Sequence, residues 1–111
     1  MAKTTIHRSN HDVNVAKRSR FLAWAKNHPE LAWEQAVEEP WKMAALRRYE
    51  GKAAAEAIRA VHLDALRVAE AKLASYPKPS PASKAAQADL RKVRQRYAEV
   101  KEALEPRRRH R

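Results

Sequence analysis

A chain of 111 residues is long enough for one domain, and at that size it buries only about two-thirds of the surface it exposes when unfolded. It carries 24 Lys and Arg against 13 Asp and Glu, a net charge of +11, and no cysteine. Disulfides and thiolate metal sites are thereby excluded, and the charge excess points to acidic partners.

Alanine supplies about half of the 44% apolar fraction, with a single Gly and six Pro. Ala, Leu, Glu, Lys and Arg lose little freedom in a helix, and no stretch alternates with the period of a strand. The expected class is all-α. No apolar run approaches the roughly eighteen residues of a membrane span. A cysteine-free chain suits a reducing compartment, so the expected location is cytoplasmic, or the host cytoplasm if the chain is viral.

Residues 1–11 hold one large apolar side chain beyond Met1, Ile6, and read as a flexible basic arm. A single helical domain is expected over 12–105. Asp12 or Asn14 is placed to cap a first helix to residue 26, with Val13, Phe21, Trp24 and Ala25 on a broad apolar face. Pro29 opens a second helix, 29–38, since the first helical position needs no N–H. Trp33, Ala36 and Val37 lie together on it, and Glu30, Glu34 and Glu38 repeat every four residues as an acidic ridge on the other side.

Pro40 opens the next segment, through which Trp41, Ala44, Ala45 and Arg48 succeed one another at helical spacing. Gly51 is the one breaker before residue 75, at a cost of about 1 kcal/mol relative to Ala. Gly51 can end the segment as a C-terminal cap after Glu50 or sit inside one long helix over 40–75, bent there; with no other breaker in the flanking sequence, the long helix is the expected form. Its second half carries two apolar seams, Ala54, Ile58, Val61, Ala65 and Val68, and beside it His62, Leu66, Ala69, Leu73 and Tyr76. Two seams imply two neighbours.

Three prolines in residues 76–84 reverse the chain, and Ser80 or Ser83 can cap a last helix. There Ala86, Leu90, Val93, Tyr97, Val100 and Leu104 keep the alternating four and three spacing of a coiled-coil seam. The architecture expected is a small helical bundle built on a C-terminal antiparallel helical hairpin, with basic flexible termini. Residues 106–111, with four arginines and no apolar side chain, read as a disordered tail.

Charge is unevenly placed. Residues 1–28 carry six cations and one anion, residues 77–111 eleven and four, and the middle is near neutral. On the last helix Lys84, Arg91, Arg94 and Lys101 line one flank for about 25 Å, and Arg107, Arg108, Arg109 and Arg111 continue it. Such a row can follow a phosphate backbone and release its counterions. Lys17, Arg18 and Arg20 form a second candidate contact. The plainer reading is a solvated face whose charges pair locally, Lys101 with Glu105 or Arg96 with Glu99.

Other residues offer less chemistry. Trp24, Trp33 and Trp41 suit a core between the first three helices better than base stacking or an interface anchor. His7 and His11 lack a third ligand, so no metal is expected, and His62 sits at a core edge. No phosphate loop or nucleophile motif appears, and a short exposed helix offers its glutamates no pocket. The expected function is therefore non-enzymatic and cofactor-free: binding a polyanion, most naturally nucleic acid or a ribonucleoprotein assembly. The alternative is a protein-binding adaptor or inhibitor, of the kind a phage can encode, docking on an acidic surface of a larger target. A seam left exposed would add a homodimer or a larger assembly.

Overall fold

The computed structural model describes residues 10–105, so most of the expected arm and all of the expected tail lie outside the described residues. Among these, every regular element is helical: α1 (Asn10–Asn27), α2 (Pro29–Glu38), α3 (Pro40–Arg47), a 3-10 turn (Tyr49–Gly51), α4 (Lys52–Ala74) and α5 (Pro81–Leu104). The hairpin of α4 and α5 is antiparallel, and α1 to α3 gather at its base. There Ala54, Ala55 and Ile58 from the start of α4 share one core with Val100 and Leu104 from the end of α5.

Prolines open α2, α3 and α5, as their missing N–H allows. The helix α1 is already formed at Asn10, so Asp12 and Asn14 lie within it and not at an N-cap position. Its buried side chains are Phe21, Leu22 and Ala25, whereas Val13 is exposed, against expectation. The ring of His28 stacks on Trp24 with centroids 4.9 Å apart. Its Nδ1–H donates to the Trp24 carbonyl at 3.0 Å, satisfying one of the acceptors a helix end leaves free.

The long helix expected over 40–75 does not form. Helix α3 stops at Arg47, Arg48 is extended at φ −79° and ψ 162°, and the 3-10 turn leads into α4. The reason is tertiary. In one continuous helix Leu46 and Ile58 would stand about 18 Å apart along the axis, yet both are fully buried in the same core. Breaking the rod brings them together. Gly51 is what lets the turn fold onto α3, because a Cβ there would overlap the Ala45 carbonyl oxygen and lie 3.0 Å from the Leu46 Cα.

Of the two seams expected on α4, the second faces α5. His62 and Ala69 are buried and Leu66, Leu73 and Tyr76 half-buried. The first is covered only at its start: Ala54 and Ile58 are buried, Val61 is half-buried, and Ala65 and Val68 are exposed. The core that α4 shares with the N-terminal helices holds Ala54, Ala55 and Ile58, all from the start of α4. Helix α5 begins with a reciprocal cap, in which the Ser80 hydroxyl accepts from the Ser83 N–H at 3.0 Å and the Ser83 hydroxyl accepts from the Ser80 N–H at 2.8 Å.

Candidate polyanion-binding surface

Helix α5 divides its surface by its heptad. Ser83, Ala86, Leu90, Val100 and Leu104 are buried and Val93 and Tyr97 half-buried, so the seam expected from the sequence is the contact with α4. Turning that stripe inward turns its flank outward. Lys84, Arg91, Arg94 and Lys101 are all exposed, along about 25 Å of helix. Among the described residues the ion pairs are Lys42 with Glu39 at 2.8 Å and Arg48 with Glu50 at 3.3 Å. Neither involves α5, and the local pairs Lys101–Glu105 and Arg96–Glu99 do not form.

Two other arginines tie the end of α5 to the base. Arg47 Nε donates to the Ala103 carbonyl at 2.8 Å, and Arg59 Nη1 donates to the Leu104 carbonyl at 3.2 Å. They neutralise the partial negative charge that the C-terminal end of α5 presents. Nothing in the local sequence announces this, since each donor lies more than forty positions from its acceptor.

The second candidate contact is split by the structure. Lys17 and Arg18 line a cleft of about 310 Å³ between α1 and α3, together with Trp41 and Arg48. Arg20 is exposed and does not line that cleft. The Lys17 ammonium lies 4.5 Å from the centroid of the Trp41 ring, a cation–π contact. Sequence pattern alone does not single out Arg48 as a contact, although its helical spacing from Trp41, Ala44 and Ala45 carries the signal: all four line the cleft.

Carboxylates temper this cleft. Glu50 is held below the usual carboxylate range, first by a backbone N–H, against partial desolvation, and then by the charges of Arg48 and Arg18. Glu39 is held low chiefly by its hydrogen bond from Lys42, with help from the Trp41 Nε1–H at 3.3 Å and the charge of Lys17. Lys42 also donates to Gln35 at 2.7 Å and lies over the Phe21 and Trp41 rings. It is committed to the fold.

The tryptophans belong to the core or its edge: Trp33 is buried, and Trp24 and Trp41 are partly buried against it. His62 is buried, with its Nδ1–H donating to the Ile58 carbonyl at 2.8 Å and its ring edge-on to Trp33. The acidic ridge corrects one expectation. Glu30, Glu34 and Glu38 do not face away from Trp33 and Val37 but stand beside them along one groove.

Among the described residues no cluster of His, Asp and Glu is arranged to hold a metal ion, and no helix is long and apolar enough to cross a membrane. His7 and the tail arginines Arg107, Arg108, Arg109 and Arg111 lie outside the described residues, as does the side chain of His11. Comparison of the chain with models of protein families, with curated protein sequences and with solved structures finds no match.

Proposed function

We propose that this chain is a non-enzymatic binding protein whose α5 flank engages a polyanion, nucleic acid alone or within a ribonucleoprotein assembly. The observation that carries this reading is the row of Lys84, Arg91, Arg94 and Lys101. All four are exposed on one side of a helix whose opposite stripe is occupied by α4, and no ion pair among the described residues uses them. Arginine suits the task because its planar fork can bond two phosphate oxygens at once. The arginines of residues 106–111 extend the row in sequence, and the cleft of Lys17, Arg18 and Arg48 offers a subsidiary contact.

The test is fluorescence anisotropy with labelled duplex DNA and single-stranded RNA across a range of salt. Four phosphate contacts on duplex DNA predict a slope of log affinity against log salt of about −3.6. Unlabelled nucleic acid should compete. Absence of binding near physiological salt defeats the proposal, and the basic flank then belongs to an acidic protein surface.

A further inference from the structure

An open groove of about 460 Å³ lies between α2 and the hairpin. Its floor is built from Trp33, Val61, Ala65 and Val93 with His62 among them, and one edge carries Glu30, Glu34 and Glu38 with Arg96 across from them. We propose that this groove docks a basic amphipathic helix of a partner protein, laid beside α4 and α5 as a third helix of the bundle.

The helical nature of the occupant follows from the seam on α4. Ala54, Ile58, Val61, Ala65 and Val68 keep coiled-coil spacing, but the chain's own helices cover only the start of the row. Val68 is 62% exposed, and Val37, on the groove's α2 side, is 61% exposed. A seam of this spacing accepts the knobs of a neighbouring helix, and its outer half has no neighbour among the described residues.

Charge fixes the character of that helix. The three glutamates stand one turn apart over about 12 Å of α2, and neither ion pair among the described residues uses them. A helix with Lys or Arg at intervals of four beside its apolar stripe meets them one for one, and an acidic residue on its other flank meets Arg96. His62, only 8% exposed, adds a hydrogen-bond acceptor in the floor. Its Nδ1–H is spent on Ile58, which leaves Nε2 without a partner among the described residues.

A second copy of this chain fits less well than a separate partner. Two molecules of net charge +11 repel one another before contact, and a helix with three cations on a protein of lower or opposite net charge meets a smaller barrier. This surface is independent of the polyanion reading, since none of Lys84, Arg91, Arg94 and Lys101 lines the groove.

The experiment uses two labelled synthetic peptides of about five helical turns, one with Leu at seam positions and Lys at intervals of four, the other of the same composition scrambled. Anisotropy at about 0.15 M salt should show the patterned peptide binding at least tenfold tighter. Ala65→Glu places a charge on the exposed floor, and Glu34→Lys reverses the centre of the acidic edge. Each should weaken the patterned peptide about tenfold or more, with circular dichroism confirming that both variants remain helical. Equal binding of the two peptides, or binding unmoved by both substitutions, overturns the proposal. So does a concentration-dependent dimer abolished by Ala65→Glu, which would make a second copy the occupant.

Discussion

The base of the bundle and the outer half of the hairpin are held together by different means. At the base all five helices contribute to one core, and Leu46, Ile58 and Val100 are sealed from solvent. In the outer half α4 and α5 have chiefly each other: the side chains sealed there are Ala69, Ser83, Ala86 and Leu90, and the larger Leu66, Leu73, Tyr76, Val93 and Tyr97 are only half-buried. A two-helix contact that leaves its large side chains half-exposed removes less apolar surface per residue than a sealed core. The base therefore supplies most of the stability, and the hairpin supplies surface.

Substitution can break that contrast. The largest effect is expected at Ile58→Ala, about 2–5 kcal/mol, because the cavity lies where five helices converge and cannot easily collapse. Leu90→Ala should cost clearly less, since a side chain between two helices leaves a gap that the pair can close or solvent can enter. Urea unfolding of both variants checks this, and equal losses would mean that the hairpin carries as much stability as the base.

Gly51→Ala comes next, at about 1–3 kcal/mol, because the added methyl meets backbone and not a movable side chain. A neutral Gly51→Ala would show that the break between α3 and α4 is not locked by close approach. Ser80→Ala should cost about 1 kcal/mol through the lost cap of α5. Its thermal midpoint should fall while the base core stays intact.

The smallest effect concerns pH. The hydrogen bond from Lys42 depresses the Glu39 carboxyl in the folded chain, so this group stabilises the fold above the ordinary carboxylate range. That contribution is lost as pH falls through the depressed value. Glu39→Gln should make stability less steep with pH on the acid side, by a modest amount because the pair is solvent-screened. An unchanged acid limb would mean that Lys42 is held by Gln35 and the aromatic rings alone.

The base and the hairpin also differ in how much of them the sequence reveals. On α5 the seam, the cap and the basic flank are all legible, because each is a pattern within one helix: Ala86 to Leu104 at heptad spacing, Ser80 before Pro81, and four cations beside the seam. At the base the decisive relations join distant positions. The break at Arg48 follows from Leu46 and Ile58 sharing a core, and the burial of Ala32 over Val37 follows from where α2 meets α4. Local propensity favours a continuous helix there, and packing overrides it. The cationic candidates divide along the same line. Lys84, Arg91, Arg94 and Lys101 share a flank as read, while Arg20 separates from Lys17 and Arg18 and Arg48 joins them, since that cleft lies between two helices.

The most direct test of the central claim compares the salt dependence of nucleic-acid affinity for the native chain and for Arg91→Ala with Arg94→Ala. If the α5 flank follows a phosphate backbone, affinity falls and the magnitude of the log–log slope drops by about two, one for each phosphate contact removed. If the slope and the affinity both stay at their native values, the flank is a solvated face and the polyanion contact lies elsewhere.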